Sequence, residues 1–108
     1  MNVESSNPFT VRARLRILAT QLGGPSTPRN PQYRPNHNFG DEQNRNFFIG
    51  FIDWNPPTPI EPGEEREVVV QFFPEPSLRP YLTPGRRWRI QEGSSLVGSA
   101  ELLDVEGL

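Results

Sequence analysis

A chain of 108 residues with 33% hydrophobic residues, 13 prolines and 9 glycines fits one small domain. Such a domain buries about two-thirds of the surface its unfolded chain exposes. The absence of cysteine excludes disulfides, thiolate catalysis and cysteine-based zinc, and the absence of lysine excludes Schiff-base and lysine-assisted phosphate chemistry. A formal net charge of -2 and a pI of about 5.4 argue against a domain held to its ligand mainly by phosphate contacts, while leaving room for a local arginine patch.

Residues 1–8 are polar and are expected to be loose, with a single domain over residues 9–108. Residues 1–6 have no basic start followed by an apolar stretch, and no apolar run approaches the roughly 20 residues of a membrane span. A soluble cytoplasmic protein is therefore the expectation, with no membrane partner. Phe9–Leu18 alternates: Val11, Ala13, Leu15 and Ile17 point one way, and Arg12, Arg14 and Arg16 the other. This spacing predicts a half-buried strand. Its arginine face has two readings. One is an anion or RNA patch; the other is a solvated face paired with acids across the sheet, the common arrangement in antiparallel sheets.

Residues 19–40 are broken by Gly23-Gly24-Pro25 and further prolines, which forbid a helix and break any long strand. Within them Tyr33-Arg34-Pro35-Asn36 is extended, because Pro35 pushes Arg34 out of helical geometry, and it leads into a short strand around His37–Phe39. Gly40–Asn46 is a polar loop. Phe47–Asn55 is a strongly apolar strand, in which Gly50 marks a bulge or a close backbone approach. Pro56-Pro57-Thr58-Pro59 ends it, and Ile60-Glu61-Pro62-Gly63 is a Pro-Gly turn of type II character. Arg66–Phe73 is the next strand, entered through Glu64, Glu65 and Glu67, which lack the spacing of a calcium or magnesium loop. A proline-punctuated loop over residues 73–80 leads to the closing hairpin, Trp88–Val105. There Trp88 and Ile90 alternate with Arg87, Arg89 and Gln91, and Gly93 supplies the turn.

No segment has helical apolar spacing, so the fold class is all-β, a closed Greek-key barrel. A barrel this small fills its interior with side chains and leaves little room for a substrate. His37, the only histidine, has no cysteine to share a zinc ion with and reads as a loop residue in a hydrogen-bonding role. There is no nucleophile–base set and no phosphate loop. No cofactor, metal, nucleotide or enzymatic activity is expected.

Taken in order, these pieces resemble the C-terminal β-barrel, or third domain, of bacterial elongation factor Tu. The likeness spans roughly residues 10–105. Val11–Leu18 is similar to the family's opening strand. Gly23-Gly24, Thr27-Pro28 and Tyr33-Arg34-Pro35 follow its Gly-Gly, Thr-Pro, Tyr-Arg-Pro order. Pro62-Gly63-Glu64 before Val68-Val69-Val70 resembles its Pro-Gly-Asp turn and next strand. Arg89-Ile90-Gln91-Glu92-Gly93 with Val97-Gly98 resembles its closing hairpin. The resemblance implies a six-stranded antiparallel barrel and places tRNA-facing positions at Arg34, Asn36, Glu92 and Gly93. The chain departs from the pattern at Asn36 (Gln in the family), at Gly40-Asp41 (Arg-Thr) and at Ser94-Ser95 (Gly-Arg). Those departures remove arginines, so what the resemblance implies here is a stand-alone, non-catalytic interaction domain with a protein partner. The alternative is an RNA-binding, tRNA-like module, with Arg12, Arg14, Arg16, Arg34, Arg86, Arg87 and Arg89 as a basic face and Tyr33 and Trp88 as stacking platforms. Core burial is the stronger reading of Trp88, whose position matches a core aromatic of the family.

Overall fold

The computed structural model describes residues 9–106; the loose segment expected over residues 1–8 lies outside them. Six antiparallel strands close into a barrel: β1 (Phe9–Ile17), β2 (Asn36–Asn38), β3 (Phe48–Asp53), β4 (Glu65–Phe72), β5 (Arg87–Glu92) and β6 (Ser95–Glu106). Around the barrel the order is β1-β4-β3-β2-β5-β6, with β6 pairing back onto β1. β2, β3 and β4 form a meander, and β5 returns to lie beside β2. That arrangement is a Greek key. The all-β, six-stranded closed barrel is the architecture expected from the sequence.

Strand alternation sorts the side chains as predicted. On β1, Val11, Ala13, Leu15 and Ile17 are fully buried while Arg12, Arg14 and Arg16 are exposed. Ile52 of β3, Val68, Val70 and Phe72 of β4, Trp88 and Ile90 of β5, and Val97, Ala100 and Leu102 of β6 complete the interior. Phe39, Trp54, Ile60, Leu78 and Leu82 join the same core from the connections. The loop expected over residues 73–80 winds into a 3-10 turn, Pro76–Tyr81, because Leu78 is drawn into that core. A shorter 3-10 turn spans Thr20–Leu22.

The glycine expectations resolve cleanly. Gly50 is a close approach and not a bulge: a Cβ there would stand 3.0 Å from the Phe72 ring and 3.1 Å from His37 Nε2. Gly93 turns β5 into β6 with φ of 60°. The bulges lie elsewhere, at Arg12/Ala13 against β6 and at Ile90/Gln91 in the β5–β6 pair. The second bulge breaks the alternation, so Gln91 turns inward and is buried, where outward was expected. It accepts a hydrogen bond from Asn38 Nδ2 at 2.6 Å.

His37 also differs from expectation. It sits on β2 and is buried in the barrel, not placed in a loop. Its Nδ1 accepts from Trp88 Nε1 at 3.0 Å, which leaves Nε2 to donate to the Gly50 carbonyl at 3.3 Å. Burial holds the imidazole neutral and lowers its pKa to about 4, with the Gly50 carbonyl pulling weakly the other way. The hydrogen-bonding role holds; the location is core. Trp88 is buried as expected and is not a free stacking platform. Among the described residues, no helix is long and apolar enough to cross a membrane.

Candidate interaction site

The positions suggested by resemblance divide into two groups. Asn36, Glu92 and Gly93 meet at the β5–β6 turn. Asn36 Nδ2 donates to the Gly93 carbonyl at 3.3 Å. Glu92 takes a forked pair of hydrogen bonds from Arg29, Nε at 2.7 Å and Nη2 at 3.1 Å, and one from the Tyr33 hydroxyl. Burial, then the hydrogen bond and charge of Glu92, raise the Tyr33 phenol well above its ordinary range, with Arg29 opposing them. The phenol therefore stays protonated and serves as a donor. This cluster fastens residues 29–36 across the turn. Glu92 is thus engaged by the protein's own groups. Arg29 had no periodic or motif signal, since the contact joins residues 63 positions apart.

Arg34 has a different neighbour. The Tyr33–Ile52 bridge lays Tyr33-Arg34 alongside β3, with backbone hydrogen bonds of 2.9 and 2.7 Å in both directions. Arg34 therefore lies beside Phe51, its guanidinium 4.7 Å from the ring centroid. Phe51 pairs across the sheet with Gln71, and Asp53 with Val69. Phe73 lies edge-on to Phe51, centroids 5.8 Å apart at 90°. The outer wall of β3 and β4 thus carries Ile49 (54% exposed), Phe73 (50%) and Val69 (37%) around the Phe51 ring. An open groove of about 670 Å³ runs along this wall, lined by Gln32, Arg34, Phe51, Asp53, Trp54, Asn55, Val69 and Gln71. Among the described residues the Arg34 guanidinium makes no ion pair and no hydrogen bond.

The other arginines are arranged differently. Arg12, Arg14 and Arg16 of β1 and Arg87 and Arg89 of β5 do share the outer wall built around β6: Arg14 and Arg87 both flank Glu101, and Arg16 and Arg89 both flank Ser99. Arg86 is not among them. It donates to the Phe39 carbonyl at 2.7 Å and lies 5.1 Å from the Tyr81 ring centroid. The shared wall is laced with acids. Arg12 pairs with Glu67 at 2.7 Å, Arg16 with Glu65 at 3.4 Å, Arg14 with Glu65 at 4.0 Å and Arg87 with Glu101 at 3.7 Å. The paired-face reading of the β1 arginines is the one the geometry bears out. Only Arg89 stands apart, its Nε buried without a partner among the described residues.

Among the described residues, no three histidine, aspartate or glutamate side chains gather as metal ligands. A scan against protein-family models finds no match for this chain, and a search of curated proteins finds none.

Proposed function

We propose that this chain is a non-catalytic interaction domain that binds a protein partner through the outer wall of β3 and β4. The observation that carries the reading is the exposed apolar surface of Ile49, Val69 and Phe73 around Phe51, beside an arginine stacked on an aromatic ring. Soluble domains bury most large apolar side chains, and contiguous exposed ones mark places where another molecule docks. Aromatic residues and arginine are also the types enriched at the centres of protein interfaces. The resemblance to the third domain of elongation factor Tu points the same way, toward a barrel whose work is contact. A cytoplasmic setting belongs to the same proposal.

The RNA alternative draws on the arginines around β6. It is the weaker reading, because Glu65, Glu67 and Glu101 pair with four of them, and the two aromatics it would use are engaged inside the protein. Affinity capture from cell lysate separates the two. The protein-partner reading expects a protein retained by the wild-type chain, lost with Phe73→Ser and kept with Arg87→Gln. Capture of RNA alone, released by salt and lost with Arg87→Gln, or capture of nothing, overturns it.

A further inference from the structure

We infer that the β3–β4 groove recognises an extended, acidic-and-apolar peptide segment of the partner: an Asp or Glu carboxylate on Arg34, with a bulky apolar side chain two or three residues away packed on Val69. The inference rests on the protein-partner reading and specifies the chemistry of that partner.

The argument starts from the state of Arg34. A guanidinium carries five donors in a planar fork, suited to the two oxygens of a carboxylate. The contact of Arg34 with Phe51, 4.7 Å from the ring centroid, holds the guanidinium over the ring but satisfies none of the donors. The other arginines of the barrel wall show what satisfaction looks like here, with Glu67, Glu65 and Glu101 within 4.0 Å of Arg12, Arg14, Arg16 and Arg87. Arg34 stands in a groove that mixes Phe51, Trp54 and Val69 with Gln32, Asp53, Asn55 and Gln71, and among the described residues it pairs with no acid. The groove's one acid, Asp53, lies beside Val69 on the neighbouring strand, and its Oδ1 takes the Trp54 amide at 3.0 Å. Arg34 is exposed, so water meets its donors in the free chain, and a carboxylate from outside can replace that water with both its oxygens.

The apolar requirement follows from the strand order. Arg34 runs beside β3, and β4 is the next strand beyond it. Strands lie about 4.8 Å apart, so Arg34 and the β4 side chains are separated by roughly 10 Å across the wall. An extended peptide advances about 3.3 Å per residue, so two or three residues cover that distance. A carboxylate at one end and an apolar side chain at the other then fill both parts of the groove. The amides of Gln32 and Gln71 flank the path and offer hydrogen bonds to the peptide backbone. The wall itself is closed sheet, so recognition is by side chains across the strands and not by strand addition at an edge.

A random-peptide phage library selected on the immobilised full chain tests this. The expected result is enrichment of sequences with Asp or Glu two or three positions from Leu, Ile, Phe or Trp. A synthetic peptide of the enriched sequence should bind Arg34→Gln at least about tenfold more weakly than wild type, the scale of a lost charge-assisted contact. It should lose affinity in step when its own acid becomes the amide, and bind Arg87→Gln unchanged. Arg34 is exposed, so its variant folds, and the amide-substituted peptide gives the same answer on unaltered protein. Enriched peptides without an acid, or binding indifferent to Arg34→Gln, overturn this inference and leave the protein-partner reading standing. A library that yields no binder removes both.

Discussion

The barrel presents two outer walls built from the same kind of strand, and they solve opposite problems. Around β6, arginines on β1 and β5 alternate with glutamates on β4 and β6, so four of the five arginines are paired within the sheet. On β3 and β4 the outward positions interleave Ile49, Phe51 and Val69 with Asp53 and Gln71, Phe73 follows the end of β4, and Arg34 has no acid partner among the described residues. Cross-strand register explains both. An outward residue meets its neighbours one strand away, so a run of Arg facing a run of Glu satisfies itself. On β3 and β4 Phe51 faces Gln71 and Val69 faces Asp53, pairings that leave Ile49, Val69 and Phe73 exposed. The comparison teaches that the arginine count is a poor guide to where this protein binds. The wall with five arginines pairs four of them with its own acids, and the wall with one leaves it without an acid among the described residues.

The largest effect is expected where both walls share a support. Phe72 is fully buried, lies 4.8 Å edge-on from His37 and 6.1 Å from Trp88, and sits on the strand common to the two walls. Phe72→Ala should cost about 3–5 kcal/mol in urea unfolding and abolish the function of either wall. A loss below about 1 kcal/mol means that the barrel is not packed as described.

Acid is the next probe, and it is blind to the walls. His37 is neutral when folded, with a pKa near 4 against the ordinary 6.5. Its contribution is complete above about pH 6.5, where both states are neutral. It falls as the pH drops toward 4, because the unfolded chain takes up a proton that the folded chain refuses. The loss is on the order of 3 kcal/mol. NMR titration of the only imidazole in the chain checks it directly, and a folded-state value near 6.5 refutes it.

Glu92 gives a smaller and local effect. Glu92→Gln weakens the forked contact that holds Arg29, a side chain only 17% exposed, and should cost about 1–2 kcal/mol with faster amide exchange across residues 29–36. Unchanged exchange there would show that the cluster does not hold the segment.

The smallest stability effects test the comparison itself. Arg12→Gln should cost less than about 1 kcal/mol, and less still in high salt, since its pair with Glu67 is exposed. Phe73→Ser should leave stability within about 0.5 kcal/mol of wild type while removing partner capture. If Arg12→Gln abolishes capture and Phe73→Ser does not, the assignment of the two walls is reversed.

Much of the barrel was legible before any coordinates. The alternation of Val11–Ile17 against three arginines, the apolar run near Phe51 and the Gly93 turn each announce a strand or its end, because local sterics and period-two burial act within a few residues. The Pro62-Gly63 turn behaves as read, with Gly63 at φ of 90° and the Glu64 amide donating to the Glu61 carbonyl at 3.0 Å. The pairing of the β1 arginines was one of two readings, and only register chose between them.

What the chain alone could not decide involves residues far apart in it. Nothing near Gln91 signals that a bulge turns it inward, or that His37 would sit against Trp88, 51 residues away. Arg29 and Glu92 carry no pattern until the barrel closes and sets them together. Asn36, Glu92 and Gly93 gather at one turn, while Arg34, two residues from Asn36, lies against Phe51, because the register of residues 33–36 on β3 sets each beside a different neighbour. The sequence determined by itself which stretches become strands, where they turn and that the domain is all β, since those depend on short-range sterics and periodicity. Closure, register and bulges decided which arginines are matched by an acid and which one waits over Phe51, because the partners that settle a charge come from strands that only tertiary pairing brings within reach.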